Sequence, residues 1–284
     1  MSDIDKVKEL RKVTGAGFKD CNNALKETKG DIQKSIELLR VKGISKASKK
    51  MSRTANEGLI SIYKTENSLS IIEINCETDF VAKNEDFIKF VKEISEINNK
   101  VLSDPIKIEN FQMSNGDTVK NNLVNKISKI GEKITIGRMA TISEDQKTKN
   151  YSYMHSVVKD NLSKLGVIVN IDAKVINSEL DVFGKQLSMH IAASSPLAID
   201  IEQIDKDIIE KEMQLISEEL SSTGKPQNII DKISEGKIKK FKEDNSLLNQ
   251  QWVMDPKKKV KDILSEIKDN TVKINSFYRI KIGE

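Results

Sequence analysis

The 284-residue chain has little of what small stapled proteins, metalloenzymes and membrane proteins are built from: two cysteines, two histidines, four prolines and one tryptophan. Cys21 and Cys76 each sit in an apolar pattern, and a chain of this length needs no disulfide framework, so a reducing cytoplasm is expected. His155 and His190 stand at metal-ligand spacing neither from each other nor from a cysteine, so no metal site is indicated. Thr14-Gly15-Ala16-Gly17 lacks the Gly-Lys-Ser/Thr ending of a phosphate-binding loop and follows a helical pattern, which makes it an interhelical loop. No other glycine fingerprint calls for a nucleotide cofactor. Apolar runs stay far below the ~18 residues of a membrane span, and Met1-Ser2-Asp3-Ile4-Asp5 has neither the basic start nor the apolar stretch of a signal peptide. An excess of one charge is missing too. With 47 basic against 43 acidic side chains the net charge is +4, too balanced for a dedicated nucleic-acid binder. Carboxylates are plentiful but scattered over helical surfaces, and no acid/base pair stands out. Aromatics make up 5% and charged residues 32%, so the cores must be aliphatic and the helical faces solvated. The length suffices for two or three domains.

What is present is clearest at Glu73-Ile74-Asn75-Cys76-Glu77-Thr78-Asp79-Phe80-Val81-Ala82. A β-rich run through Leu69, Ile71, Ile72 and Ile74 stops at a polar turn bearing one large aromatic. Phe87, Phe90, Val91, Ile94 and Ile97 then recur at helical spacing. Phe80 has two readings. If Thr78 caps a continuous helix, Phe80 shares a face with Phe87 and belongs to the core. If the main helix starts at Asn84, with Glu85 and Asp86 in its first turn, residues 78–83 form a short turn that presents the ring. Asp79 would either accept hydrogen bonds from a partner or cap that turn.

Residues 4–43 read as three short helices, with Gly30 ending the second and Asp31 capping the third. So small a bundle resembles a ubiquitin-associated-type module, and residues 45–53, basic and poor in bulky apolar side chains, read as a solvated linker. From Gly58 the apolar period shortens to two, giving a hairpin up to Cys76, helices over 84–97 and 119–130, and a strand over 134–142. Leu69, Ile71, Ile72, Phe87 and Val91 match Leu165, Val167, Ile168, Phe183 and Leu187 at a constant offset, which implies two related α/β halves. Ile209, Met213, Ile216 and Leu220 keep heptad spacing, Gly224-Lys225-Pro226 breaks the pattern, and Ile229, Ile230 and Ile233 resume it. Such a helical hairpin needs its apolar seam covered by its own return helix or by a second chain. The fold expected is α+β, divided into a bundle and linker (1–53), a first α/β core half (54–142), a second half (143–195 and 237–284) and an inserted helical, coiled-coil hairpin (196–236).

Glu73 to Lys83 resembles the signature of bacterial-type elongation factor Ts, the guanine-nucleotide exchange factor for elongation factor Tu. Leu10-Arg11-Lys12-Val13-Thr14-Gly15-Ala16-Gly17-Phe18-Lys19-Asp20-Cys21, followed by Ala24-Leu25, is similar to the N-terminal signature of that family, with Asn22 and Asn23 where a lysine is usual. Met189-His190-Ile191-Ala192-Ala193-Ser194-Ser195-Pro196, Ser222-Thr223-Gly224-Lys225-Pro226 and Glu235-Gly236-Lys237-Ile238-Lys239-Lys240-Phe241 extend the likeness, as do Gln250 and Val253-Met254. Departures are Gln251-Trp252 in place of Pro-Phe, residues 156–164 in place of a short glycine-rich loop, and an end at Glu284 without the C-terminal helix of some members.

The resemblance implies that Thr78, Asp79, Phe80 and Val81 displace Mg²⁺ on elongation factor Tu. It also implies that the N-terminal bundle, through Leu10, Arg11, Thr14, Gly15 and Gly17, adds a contact to the GTPase domain. The partner would be taken in GDP-bound and nucleotide-free forms, the hairpin would serve as a dimerisation module, and no cofactor, nucleic acid or membrane would be involved. The physics is mechanical. Mg²⁺ demands near-ideal octahedral coordination, and burying one phenylalanine is worth about 1.5–3 kcal/mol, comparable with allosteric couplings of ~1–3 kcal/mol. Two rival readings stand beside it: an RNA- or ribosome-binding translation protein, suggested by the basic linker at 45–53 and by Lys237, Lys239, Lys240, Lys257, Lys258 and Lys259, and a ubiquitin-associated-type adaptor without exchange activity, suggested by the small N-terminal bundle.

Overall fold

The computed structural model describes residues 3–14, 16–221, 226–267 and 271–284. The chain divides into two units: residues 1–141 with 154–166 and 280–284, and residues 142–153 with 167–279.

The first unit begins with α1 (Asp3–Thr14), α2 (Phe18–Glu27) and α3 (Ile32–Lys50). Val7, Leu10, Cys21, Ala24, Leu25 and Leu39 bury one small aliphatic core between them. Gly30 takes the left-handed conformation, φ 82°, and its amide donates to Leu25 O at 2.7 Å, closing α2. Asp31 then caps α3 by accepting from the Lys34 amide at 3.0 Å. The stretch expected as a basic linker is instead mostly helix, because α3 runs on to Lys50. Its continuation rests on small residues that a count of bulky apolar side chains overlooks. Gly43 and Ala47 lie one turn apart on the face that meets α7 (Val119–Ile130), where a Cβ on Gly43 would stand 3.7 Å from Ser128 Oγ. Ala47 is buried with Val119, Ile127 and Ile134 in a second core cluster.

That cluster is built on β1 (Glu57–Lys64) and β2 (Ser68–Cys76), an antiparallel hairpin in continuous register from Glu57↔Cys76 to Lys64↔Leu69. After β2 come α4 (Asp79–Ala82), α5 (Glu85–Lys100), α6 (Pro105–Asn110), α7 and β3 (Thr135–Ser143). Phe87, Phe90, Val91, Ile94 and Ile97 form the buried stripe of α5 on the hairpin. β3 lies beside β2, and the start of β5 (Leu162–Asp172) beside β1.

In the second unit the rest of β5 pairs with β4 (Thr148–Lys159) and β8 (Lys273–Lys281). It leads into α8 (Ser178–Ser194) as β2 leads into α5. All ten apolar residues of the constant-offset series are buried. Residues 156–164, which depart from the glycine-rich loop of the family pattern, are strand and tight turn, with Asn161 at φ 62°. α9 (Lys206–Ser221) and α10 (Gln227–Asn245) pack on each other, and β6 (Gln251–Trp252), β7 (Asp255–Lys259) and α11 (Val260–Glu266) follow. Ile216 and Leu220 are buried and Ile209 half-buried, but Met213, expected on the same seam, is 52% exposed. α10 continues past residue 236 to Asn245, while the expected break at Gly224-Lys225 lies outside the described residues.

In this unit α8 lies close against β4 at Gly184, where an added Cβ would collide with the Tyr151 ring. Tyr151 cannot swing aside freely, since its hydroxyl donates to Asp181 Oδ1 at 2.9 Å. Gly184→Ala is therefore expected to lower stability by about 1–3 kcal/mol, the usual scale of overpacking, despite the better helix propensity of alanine. Chemical denaturation decides it, and an unchanged midpoint would show that this contact yields.

Candidate functional site

Cys76 ends β2, and the backbone of Thr78 is extended at φ −127°. Its Oγ1 caps the single turn of α4 by accepting from the Val81 amide at 3.4 Å. Asn84, also extended, takes the amides of Asp86 and Phe87 at 2.9 and 3.2 Å and so starts α5 afresh. A continuous helix through both segments is excluded, because the side chain of Asn84 occupies the amides that such a helix would bond internally. Phe80 consequently does not join Phe87 in the core; it is 82% exposed.

The four residues of the turn divide by role. Val81 is 8% exposed and, with Ala82, belongs to the same buried cluster as Phe87, so it anchors the turn and is not available as a contact surface. Asp79 pairs with Lys83 at 2.7 Å, and that bond holds its carboxyl below the usual range. Thr78 is engaged on both sides of its hydroxyl. Phe80 alone presents an unclaimed side chain.

A second segment holds this turn. α7 ends on Gly131, whose left-handed conformation at φ 88° turns the chain so that Glu132 reaches back to β2. Glu132 Oε2 accepts from the amides of Glu77 and Thr78 at 3.1 and 3.0 Å, and Oε1 accepts from Thr78 Oγ1 at 2.7 Å. Glu77 returns the exchange, taking the Lys133 amide at 2.5 Å and Arg53 Nη1 at 3.3 Å. Burial, with the Glu132 carboxylate as the next influence, pushes the Cys76 thiol up to about 12, and its Sγ donates to Thr78 O at 3.2 Å. Beside these, Glu73 is buried and met by Arg138 Nε and Nη2 at 2.9 and 3.0 Å. Sequence reasoning missed Glu132 and Arg138 because both act across more than 50 residues of chain, a distance at which no local pattern signals them.

These carboxylates make the turn sensitive to acid. Glu77 is held below the ordinary 4.5 first by the Lys133 amide. For Glu73, burial pushes upward, but the bonds from Arg138 outweigh it and the carboxyl is lowered as well. A carboxyl whose folded pKa is depressed adds stability that is complete above its unfolded value and is lost as pH falls through the folded one. The stability these carboxylates add is therefore expected to be lost as pH falls below about 4.5, with Glu77→Gln flattening that loss in thermal denaturation. Stability that rises on acidification would contradict the assignment.

At the tip of the bundle, Leu10 is fully buried in its core, which removes it as a contact. Thr14 is turned inward, its Oγ1 donating to Leu10 O at 2.6 Å. Arg11 and Gly17 are exposed, Gly17 as the N-cap of α2, and Gly15 lies outside the described residues. Val13 and Phe18, exposed on either side of this loop, were not singled out as site residues. The signal was available: the bundle core is complete without them.

His190 is buried in the second unit. Nε2 donates to Gln250 Oε1 at 3.0 Å, Nδ1 accepts from the Val253 amide at 3.3 Å, and burial lowers its pKa. It stacks on Trp252 at 5.2 Å, and Trp252 on Phe183 at 6.1 Å, so the Gln251-Trp252 departure fills a core. Among the described residues no group of three or more His, Cys, Asp or Glu is placed to hold a metal ion, and no helix is long and apolar enough to cross a membrane.

Residues 77–284 match the family model described as Elongation factor TS. Across 98% of its length the chain is 38% identical to the elongation factor Ts of Erythrobacter litoralis, covering 91% of that protein. It is 37% identical to that of Gluconobacter oxydans over 98% and 91% of the two chains. With the elongation factor Ts of Bartonella quintana it shares 39% identity over 98% and 92%.

Proposed function

The chain belongs to the elongation factor Ts family, and from that premise we propose that it is a cytoplasmic guanine-nucleotide exchange factor for elongation factor Tu, without catalytic chemistry of its own. The observation that carries this reading is Phe80: one aromatic ring, 82% exposed, on a one-turn helix that Val81 and Ala82 anchor in the core. A solvated ring on a rigid support gains its burial energy only when another molecule encloses it, and about 1.5–3 kcal/mol is enough to offset a comparable part of nucleotide affinity. The ring would displace the supports of the Mg²⁺ site, GDP would leave, and GTP would reload. Val13, Phe18 and Arg11 form the accessory contact from the ubiquitin-associated-type bundle.

The RNA-binding rival loses much of its motive. Lys237, Lys258 and Lys259 are paired with Glu219, Glu266 and Glu243 at 2.6, 2.7 and 3.5 Å, so three of the six suspected lysines beyond the linker are already neutralised within the chain. The hairpin of α9 and α10, read as a coiled-coil insert, leaves Ile208, Met213, Leu215 and Ile229 exposed, which suits a homodimer interface.

Linkage supplies the test. If the chain weakens GDP binding to elongation factor Tu by some factor, GDP must weaken binding of the chain by the same factor. Calorimetric titration into the nucleotide-free and GDP-bound partner is expected to show tighter binding to the nucleotide-free form by roughly 10-fold or more. Equal affinity for the two forms would rule out exchange.

A further inference from the structure

We propose that Glu132 is a positioning residue for Phe80: its carboxylate, not the short helix itself, holds the 78–82 turn in the conformation that presents the ring. The proposal rests on the exchange reading above for its consequence, but its structural content stands apart from it.

A single helical turn has no cooperativity to sustain it, and the Thr78 cap bond to Val81, at 3.4 Å, is long. Val81 and Ala82 tether one side of the turn only. The other side is held by Glu132, which satisfies the last two amides before α4 and fixes the Thr78 hydroxyl in the orientation that leaves a lone pair for the Val81 amide. The carboxylate is delivered from a loop that is itself clamped. Lys50 Nζ donates to Gly131 O, and Lys133 Nζ donates to Met51 O and Arg53 O, each at 2.8 Å. Arg53 completes the ring of contacts by reaching Glu77. The end of α3, the loop after α7 and the turn that carries Phe80 are thus one hydrogen-bonded assembly with Glu132 at its centre. Without Glu132 the turn would be ordered only on binding, and the ordering cost would be taken from the affinity that Phe80 supplies.

The experiment compares Glu132→Ala and Glu132→Gln in the full chain by two independent readouts. Glutamine can accept both amides at its Oε1 and donate from Nε2 to Thr78 Oγ1, so it serves as the rescue. The first readout is amide hydrogen exchange in the free protein. Glu132→Ala is expected to lose roughly tenfold or more protection at Thr78 and Val81 while Ile71 and Ile72 of β2 keep theirs, and Glu132→Gln to keep most of it everywhere. The second is GDP release from elongation factor Tu at subsaturating factor. Glu132→Ala is expected to slow it by roughly tenfold and to add nothing in a Phe80→Ala background, because a residue that acts through Phe80 has nothing to position once the ring is gone. Unchanged protection at Thr78 and Val81, or losses additive with Phe80→Ala, would overturn the proposal. Failure of the wild-type chain to speed GDP release would sink the exchange reading instead, and the hydrogen-exchange result would still decide whether Glu132 holds the turn.

Discussion

Phe80→Ala is expected to slow factor-stimulated GDP release from elongation factor Tu by about 10- to 100-fold while leaving the melting temperature of the chain where it was. The rate estimate follows from the about 1.5–3 kcal/mol that a buried phenylalanine contributes, at ~1.4 kcal/mol for each factor of ten. The stability estimate follows from exposure: at 82% accessible, the ring fills no cavity, and substitutions at such surface positions change stability by no more than about 0.5 kcal/mol. Together the two measurements discriminate sharply. A large fall in melting temperature would place the ring in the core. An unchanged rate in a stable variant would show that the presented ring does not act on the partner.

Ile216→Lys is expected to have the largest effect on structure. Ile216 is 5% exposed on α9, and α9 packs on α10. Replacing it removes a buried aliphatic side chain at a cost of about 2–4 kcal/mol, even if the ammonium reaches water along its flexible stem. Pairing of α9 with α10 should weaken, helicity by circular dichroism should fall, and any self-association through the hairpin should drop out of the light-scattering mass. Exchange should fall less than in Phe80→Ala, because Phe80 and its fastenings belong to the first unit and the hairpin to the second. If mass and helicity both stay unchanged, Ile216 does not hold the hairpin. If exchange falls further than in Phe80→Ala, the hairpin is a primary contact for the partner.

The turn around Phe80 is half legible in the sequence: Asn84 followed by Glu85 and Asp86 reads as a helix start, but the seven-residue spacing of Phe80 and Phe87 reads as one continuous helix, and only the bonds of the Asn84 side chain to the Asp86 and Phe87 amides decide between them. The course of α3 is not, since its last two turns are held by Gly43 and Ala47, whose value lies in how closely another helix can approach them. Met213 keeps heptad spacing yet faces water, because spacing places a side chain on a face without saying how far the partner helix extends over it. Within the site, Leu10 and Val81 are carried in by the family motif as contacts but are enclosed by the fold. A motif gathers residues that hold a segment together along with those that touch a partner, and only burial separates the two. Glu132 lies furthest from the reach of sequence reasoning: a carboxylate after a glycine looks like any solvated turn until Thr78, 54 residues away, is brought beside it.

The most direct measurement is stopped-flow release of a fluorescent GDP from elongation factor Tu, with and without this chain. A release rate that climbs with the concentration of the chain to a plateau is the predicted result, since the factor binds the GDP complex before the nucleotide leaves. A rate that stays at its spontaneous value through saturating concentrations would contradict the account.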